Sequence, residues 1–312
     1  MGASSKIAWT DSTWNVISGC SRVSEGCTHC YAEALSHRYG WTTNPWTAIH
    51  AAENVQFHPN RLDQVLRWRK PRRIFVNSMS DLWHDQVSDE ILDPIWATMA
   101  LAPHHTFQIL TKRPQRMQQY LTNPTTPSRI AALVHALAIT PEQKALAITL
   151  QTALPWPLPH VWLGISCETQ VRADERIPWL IETPAAVRFL SCEPLLSPID
   201  LRAWIGPSCR HPDQEEGEEG EREVDDRVIL QPLGYSPIEM GRAIPHHPID
   251  WIIVGAESGP QARPMDDAWV RILRDQCHAP RIAFFFKQRA TPAGHKLLNP
   301  LLDGQAWAEY PT

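Results

Sequence analysis

The sequence predicts an α/β fold in which parallel strands form a full or partial (β/α) barrel, similar to a TIM barrel. Short apolar runs rich in β-forming residues recur along the 312 residues. Each run ends in polar or charged residues, and a stretch with helical spacing usually follows. Near-continuous apolar strands are typical of a parallel sheet covered on both faces, and the alternation of strands and helices is typical of α/β folds. We expect one barrel domain over residues 1–312, with two insertions.

Seven apolar runs are the predicted strands: WNVISGC (14–20), IFVNSMSD (74–81), FQILTKR (107–113), VWLGISCE (161–168), RFLSCE (188–193), WIIVGAES (251–258) and IAFFFKQ (282–288). Helices are predicted between them. The first covers Tyr31–Arg38 and ends at Gly40. In the second, Ser88 is the N-cap and acidic residues follow in the first turn, where the helix dipole favours negative charge. The third begins near Asp266.

Two segments interrupt the repeat and are predicted to be insertions. Residues 123–160 contain six prolines around the helical stretch Ile130–Thr152. Residues 203–248 contain a strongly acidic, glycine-containing run, which is typical of a surface loop.

The charge of the chain is unevenly distributed. The net charge is −5, but the run Asp213–Asp226 has nine acids and one base, or −8, so the remainder has −5 − (−8) = +3. The stretch Arg61–Arg73 has six bases and one acid. A polyanionic partner is therefore compatible with the overall acidity, because local fields govern such contacts. The basic stretch is equally compatible with a solvated helix face.

Composition also restricts the class of protein. Hydrophobic residues make up 43% and charged residues 20%, which is typical of a packed globular chain. No run of 18 apolar residues occurs, so a membrane-spanning helix is excluded, and the first residues lack the apolar segment of a secretory signal. The cysteine count of seven is odd, which favours a reducing compartment. We expect a cytoplasmic protein with no membrane partner.

Polar residues follow nearly every predicted strand. In a parallel barrel the carboxyl ends of the strands form the active-site face, and in an open sheet they form the ligand crevice. We therefore expect a shared site there. The residues concerned are Asn77, Ser78, Asp81, Lys112, Arg113, Ser166, Glu168, Ser191, Glu193, Glu257, Ser258, Lys287 and Gln288.

Three cysteines, Cys20, Cys27 and Cys30, lie in the segment GCSRVSEGCTHCYAE (19–33), with the spacing C-x6-C-x2-C. Thiolates select iron–sulfur clusters or zinc. Three cysteines on a four-iron cluster leave one iron open for a substrate or cofactor. A structural zinc ion requires a fourth ligand, for which His29, Cys209 or His211 is available. A third interpretation is a redox dithiol of Cys27 and Cys30, which leaves Cys20 without a role.

The ordered motifs resemble a known family. They are WTDSTWNVISGCSRVSEGCTHCYAE, RRIFVNSMSDLWHD, HTFQILTKRP, VWLGISCE, RFLSCEPLL, WIIVGAESGP and FFFKQ. The chain resembles a phage- and prophage-associated family described by its three-cysteine motif, largely of unknown function and similar to radical S-adenosylmethionine (SAM) enzymes. The resemblance implies a partial (β/α) barrel with a [4Fe-4S] cluster on the first βα loop. The usual spacing in radical SAM enzymes is C-x3-C-x2-C, from which this sequence departs.

The resemblance also implies roles for individual residues. Cys20, Cys27 and Cys30 would ligate three irons, and SAM would chelate the fourth through its amino and carboxylate groups. Reduction by an electron donor protein would then cleave SAM to a 5′-deoxyadenosyl radical. His29 would lie near the adenine, and Ser78, Ser80 and Asp81 near the SAM amino group. Ser166 and Glu168 would reach the ribose, and Glu193, Glu257 and Lys287 would complete the pocket. A phage-encoded partner protein is a further expectation.

The reaction itself is less constrained by the sequence. Candidate catalytic residues are Lys112, Glu193 and Cys192, of which Cys192 is either a hydrogen-atom donor, a substrate thiol or a buried free cysteine. Four tryptophans flank the expected mouth and either stack on nucleobases or cover the rim: Trp41, Trp46, Trp68 and Trp83. A nucleic-acid or nucleotide substrate is favoured. The alternative is a zinc-binding barrel protein, either a metal-dependent hydrolase or a nucleic-acid-binding module.

Overall fold

The computed structural model of the chain describes residues 5–205, 248–259, 261–278, 280–290 and 296–311. Their strands, in chain order, are β1 (Ser12–Trp14), β2 (Ile17–Ser18), β3 (Gln56–Phe57), β4 (Arg73–Val76), β5 (Thr106–Thr111), β6 (Val161–Ser166), β7 (Val187–Cys192), β8 (Trp251–Gly255), β9 (Ala283–Ala290), β10 (Lys296–Leu298), β11 (Leu301–Leu302) and β12 (Gln305–Ala306).

Eight of these strands form one curled, mostly parallel sheet. Its order is β1-β4-β5-β6-β7-β8-β9-β10. Every neighbouring pair from β1 to β9 is parallel, and β10 is antiparallel to β9. The edge strands β1 and β10 are not neighbours, so the sheet is a half-barrel. The prediction of an α/β fold with a parallel, partially closed sheet is confirmed at this level.

The first predicted strand is the one that differs most from the structure. Its run 14–20 contains only the end of β1 and the two residues of β2, which pairs with β3 in a separate small sheet. Asn77 explains the break, because its side-chain Oδ1 accepts hydrogen bonds from the backbone N–H groups of Val16 and Ile17, at 3.1 and 3.2 Å. These N–H groups are thereby satisfied outside the ladder of the main sheet.

The helices are α1 (Tyr31–Arg38), α2 (Ala51–Asn54), α3 (Asp89–Ala100), α4 (Pro114–Thr122), α5 (Thr126–Leu137), α6 (Pro141–Thr152), α7 (Gln170–Glu182), α8 (Arg202–Ile205) and α9 (Asp267–His278), with 3-10 helices at Glu25–Cys27, Ala48–His50 and Pro59–Arg67. The three predicted helices correspond to α1, α3 and α9. None of the helices in the described ranges is long and apolar enough to cross a bilayer.

The two predicted insertions have different outcomes. The stretch Ile130–Thr152 contains two helices rather than one, since α6 begins anew at Pro141. Thr140 caps α6 in a reciprocal capping box with Gln143, and a proline at the first helical position favours a new start over continuation. Most of the predicted insertion 203–248, namely residues 206–247 with the acidic run, lies outside the described residues.

The two faces of the sheet bury different side chains. One face lies under the helices and is mainly aliphatic, and it includes Leu190, Cys192 and Cys167. The opposite, inner face is aromatic, and its buried cluster is Trp9, Phe75, Phe189, Trp251, Ile253 and Phe285. Side chains alternate between the faces along each strand. Continued past the strand ends, this alternation places Ser166, Glu168 and Glu193 on the inner side.

Candidate functional site

The cysteine loop, residues 19–30, crosses the carboxyl edge of the half-barrel. It begins at Gly19, whose N–H donates to the Met79 carbonyl at 3.1 Å. Gly19 has φ +81°, and a Cβ there would overlap the backbone carbonyl of Asn54, so only glycine fits this start. The loop ends at Cys30, the N-cap residue of α1.

Cys20 lies beside a buried guanidinium. Nη1 of Arg113 is 3.5 Å from Cys20 Sγ, and Nη2 of the same arginine donates to the carbonyl of Ser21 at 2.9 Å. Burial raises the pKa of the Cys20 thiol to about 12, the Asp81 carboxylate adds to the rise, and Arg113 opposes it. Cys20 is therefore a thiol without metal, and Arg113 favours its thiolate form.

The carboxylate of Asp81 is fully engaged inside the protein. It accepts hydrogen bonds from Thr111 Oγ1 at 2.7 Å, Trp83 N at 3.0 Å, Lys112 N at 3.0 Å and Arg113 Nη1 at 3.3 Å. An ionised carboxylate offers about four lone-pair sites, so no site remains for the amino group of a ligand. Asp81 instead anchors Arg113 beneath Cys20.

Glu168 supports the middle of the cysteine loop. It is fully buried and pairs with Lys112 Nζ at 2.8 Å and Arg176 Nη1 at 3.0 Å. Ser24 Oγ donates to it at 3.2 Å, and a Cβ at Gly26 would overlap its carboxylate. Burial alone would raise the pKa of Glu168, but the two cations outweigh it and lower the pKa to about 2. Glu168 is therefore ionised.

Cys27 and Cys30 have different neighbours. Ser24 Oγ lies 3.9 Å from Cys27 Sγ. Burial raises the pKa of the Cys30 thiol, while the backbone N–H groups of Glu33 and Ala32, in the first turn of α1, lower it. Helix N-termini stabilise thiolates in this way.

The three cysteines lie near one another, but their sulfur atoms do not converge on one position. Cys20 and Cys30 pack against the same small apolar cluster of Ala32, Trp46 and Met79, and Cys27 is close enough to Cys30 to raise its pKa. In the described part of the chain, no three His, Cys, Asp or Glu side chains are grouped as a single metal ion requires. Cys209 and His211, considered as a fourth zinc ligand, lie outside that part.

His29 connects the cysteine loop to the end of β8. Its Nδ1 is 2.9 Å from Glu257 Oε2, and Arg263 holds the same carboxylate with Nη2 at 2.5 Å from Oε1. Burial alone would raise the pKa of Glu257, but the hydrogen bonds from Arg263 and His29 lower it to about 2. Glu257 is thus ionised and occupied.

A second ion pair crosses the inner face of β8. Lys287 Nζ lies 2.8 Å from Glu193 Oε1 without hydrogen-bond alignment, and Ser191 Oγ donates to Glu193 Oε2 at 3.1 Å. Gly255 makes this crossing possible, because a Cβ there would overlap the Glu193 carboxylate.

The three strand-end cations Lys112, Arg113 and Lys287 are engaged inside the protein. Each of them is paired with a strand-end carboxylate, and their side chains are 18%, 9% and 14% exposed. The strand-end acids and bases neutralise one another between strands, from neighbouring strands for Lys112 and Arg113 and across β8 for Lys287, which single-strand reasoning does not reveal.

The two predicted serines after β4 point to the protein rather than to the mouth. Ser78 Oγ donates to Asn15 Oδ1 at 3.2 Å, and Ser80 Oγ donates to the Ile17 carbonyl at 3.1 Å. Both hydrogen bonds tie the segment after β4 to the chain between β1 and the cysteine loop. The main-chain carbonyl of Ser78 accepts from the hydroxyl of Tyr31, at 2.7 Å.

Ser166 and Cys192 occupy opposite faces of the sheet. Ser166 is buried on the inner side, next to Glu168, and its carbonyl accepts from Arg176 at 2.8 Å. Cys192 is fully buried in the aliphatic core under the helices, and burial raises its pKa well above the ordinary thiol value. The structure therefore brings Ser166 to the site and keeps Cys192 apart from it.

The four tryptophans expected at the mouth differ in burial and position. Trp46 and Trp83 are buried, at 3% and 0% exposure. Trp41 is 49% exposed and stacks on Tyr39, which is 59% exposed, with ring centroids 5.2 Å apart. Trp68 is half-buried and precedes β4, at the end of the sheet away from the cysteines.

Several residues at the site were missed by sequence reasoning. Arg176 and Arg263 pair with Glu168 and Glu257, and Ser24 and Gly26 contact Glu168 from the loop. Within the cysteine segment, the only available signal was the glycine directly before Cys27, which indicates close approach of the backbone to another group. Arg176 lies two helical turns into α7 and carries no local signal.

Comparisons with known proteins identify a family but no function. A family model described as "Protein of unknown function (DUF5131)" matches residues 4–311. A comparison with curated proteins found no match. A comparison with solved structures also found none. Since the family model covers nearly the whole chain, this half-barrel protein belongs to the DUF5131 family.

Proposed function

We propose that the chain is an iron–sulfur enzyme of the radical SAM type, in which Cys20, Cys27 and Cys30 hold a [4Fe-4S] cluster and SAM binds at the open iron. One observation supports this proposal most directly. The three cysteines lie on one loop over the carboxyl edge of a parallel half-barrel, the edge where α/β enzymes bind their ligands.

The donor set fits a cluster better than a zinc ion. Zinc with four ligands requires sulfur atoms about 3.8 Å apart, given its 2.3 Å bonds, and the described residues contain no such group. A four-iron cluster places each cysteine on a separate iron, so its ligands are farther apart. Three thiolates also add negative charge, and two of them have hydrogen-bond donors that stabilise it, Arg113 at Cys20 and the first turn of α1 at Cys30.

The surrounding residues support ligand binding in different ways. Glu168 and Asp81 hold the loop, as their complete sets of partners indicate, so we assign them to loop support rather than to SAM. Glu193, Lys287 and Ser166 remain on the inner face as candidates for SAM or substrate. When bound, the cluster supplies the electron that cleaves SAM, while these residues orient the ligand and exclude water.

We further propose a nucleic acid or nucleotide as the substrate. The stacked pair of Tyr39 and Trp41 follows α1, whose N-cap is Cys30, and an eight-residue helix is about 12 Å long. Arg38 is exposed beside it. Exposed aromatic rings next to a cation suit stacking of bases from a single strand.

The proposal is tested by reconstitution and turnover under anaerobic conditions. Protein incubated with iron and sulfide should acquire a broad absorbance near 400 nm and, after reduction, convert SAM slowly to 5′-deoxyadenosine. The triple variant Cys20→Ala/Cys27→Ala/Cys30→Ala should do neither. A loaded protein that binds no SAM by calorimetry and yields no deoxyadenosine would refute the SAM assignment, and the cluster would then be structural or redox-sensing. A colourless protein that carries zinc would refute the cluster as well.

A further inference from the structure

We infer that Arg113 is a positioning residue for Cys20, whose guanidinium fixes the sulfur of this one ligand through a hydrogen bond and raises the reduction potential of the metal group bound there. This inference rests on the proposed function. It assigns to Arg113 a structural task within the cysteine site, instead of the substrate contact that its place after a strand suggests.

The guanidinium of Arg113 is held in place by four contacts. Nη1 is shared between Cys20 Sγ at 3.5 Å and Asp81 Oδ2 at 3.3 Å, and Nη2 is shared between the carbonyl of Ser21 at 2.9 Å and its hydroxyl at 3.0 Å. The side chain is 9% exposed. The planar fork of arginine suits two neighbouring acceptors, here those of consecutive residues in the cysteine loop.

A second layer of residues fixes the hydroxyl of Ser21. His84 Nδ1 accepts from the backbone N–H of Gln86 at 3.1 Å, so the proton of the neutral ring is on Nε2 and is donated to Ser21 Oγ at 2.8 Å. Burial and the nearby Arg113 lower the pKa of His84, which agrees with a neutral ring. The hydroxyl of Ser21 is thus held by His84 and by Arg113.

The three cysteines are not equivalent in this respect. Among the described residues, the hydrogen-bonding neighbour of the Cys27 sulfur is the Ser24 hydroxyl at 3.9 Å, and Cys30 has the N–H groups of its own helix turn. Within the described ranges, Cys20 alone has a cationic side chain within hydrogen-bonding distance of its sulfur. Hydrogen bonds to coordinating sulfurs stabilise the reduced, more negative state of a cluster and so raise its reduction potential.

The experiment compares Arg113→Gln with Arg22→Gln in the full-length reconstituted protein. Arg22 lies in the same loop and binds Glu33 without contacting a cysteine sulfur, so it is the matched control. Two quantities are measured, the rate of iron loss to a chelator and the midpoint potential from a redox titration monitored by visible absorbance and EPR. Arg113→Gln should lose iron faster, consistent with a 10- to 100-fold weaker affinity on loss of such a partner (a range of about this size), and its potential should be lower. Arg113→Lys, which keeps the charge, should restore most of the potential.

One further variant separates the effect of Arg113 from that of Asp81. Arg113→Gln leaves the buried Asp81 carboxylate without its cation, so the double variant Asp81→Asn/Arg113→Gln removes both charges. The double variant also lacks the Asp81 charge that opposes Arg113 at Cys20, so its potential should lie above that of Arg113→Gln. Equal potentials for Arg113→Gln and Arg22→Gln, or a double variant with a potential below that of Arg113→Gln, would overturn the inference while leaving the cluster intact. A wild-type protein that binds no iron at all would instead overturn the proposed function together with this inference.

Discussion

Replacing Glu168 by Gln should destabilise the protein far more than a surface change of the same kind. The variant keeps the shape of the side chain but leaves the buried cations Lys112 and Arg176 without their shared counter-charge. Breaking a buried ion pair in this way costs about 3–5 kcal/mol. The lowered pKa gives a similar value, since a shift from 4.5 to about 2 corresponds to about 3 kcal/mol at neutral pH.

This loss of unfolding free energy should lower the melting temperature by a measurable amount. The unfolding entropy of 312 residues, at about 2.1 cal/mol/K each, is about 0.7 kcal/mol/K, so a loss of about 3 kcal/mol lowers Tm by roughly 5 °C. The control is Glu175→Gln, which lies one residue from Arg176 and forms an exposed pair with Arg172. Exposed pairs contribute about 0–1 kcal/mol, so its Tm should fall by no more than about 1.5 °C. Differential scanning calorimetry measures both.

The stability difference between wild type and Glu168→Gln should depend on pH, and this dependence can refute the assignment. The folded pKa of Glu168 is below its ordinary value, so its stabilisation is present above about pH 4.5 and is lost as the pH falls towards 2. In urea titrations the gap between wild type and Glu168→Gln should therefore shrink from about 3 kcal/mol at neutral pH to about 1 kcal/mol near pH 3. A gap that is independent of pH, or no larger than that of Glu175→Gln, would contradict the assignment of Glu168 as an ionised, buried support of the loop.

Three further substitutions test other parts of the site. Gly26→Ala places a methyl group where the Glu168 carboxylate lies, so overpacking should cost about 1–3 kcal/mol and accelerate iron loss; an unchanged Tm and iron content would contradict this close packing. Cys192→Ala removes a buried thiol from the aliphatic core, so iron content and deoxyadenosine yield should stay at the wild-type level, and loss of deoxyadenosine formation by an iron-loaded variant would instead support a catalytic thiol. Trp41→Ala removes one ring of the stacked pair with Tyr39, so fluorescence anisotropy should show single-stranded oligonucleotide binding weakened by about 1–3 kcal/mol, and unchanged binding would remove the support for a nucleic-acid substrate.

The fold was predictable to the extent that its signals are local. Apolar runs identify β4 to β9 because each strand is buried along its own length. The helix α3 begins directly after Ser88, as predicted, although the Ser88 side chain forms no capping hydrogen bond; such signals are local because a capping residue acts only on the first turn. Whether the sheet closes depends on whether its first and last strands meet. That depends on distant parts of the chain, so the sequence left a full and a partial barrel equally open.

The site was predictable in position but not in its internal pairing. Because the carboxyl ends of parallel strands lie at one edge of the sheet, Glu168, Glu193 and Glu257 could be predicted to lie near the cysteines without any knowledge of contacts. Which cation each acid binds is decided by neighbours far apart in sequence, as with Glu193 and Lys287, which meet across β8 only because Gly255 has no side chain. The same holds for Arg113, whose contact with Cys20 joins residues 93 positions apart.

The metal content of protein purified anaerobically, without added iron or zinc, tests the central claim most directly. Elemental analysis together with acid-labile sulfide should give about four irons and four sulfides per chain, and each single variant among Cys20→Ala, Cys27→Ala and Cys30→Ala should lose them. Stoichiometric zinc without sulfide, or iron that persists in all three variants, would contradict a cluster held by the cysteine loop.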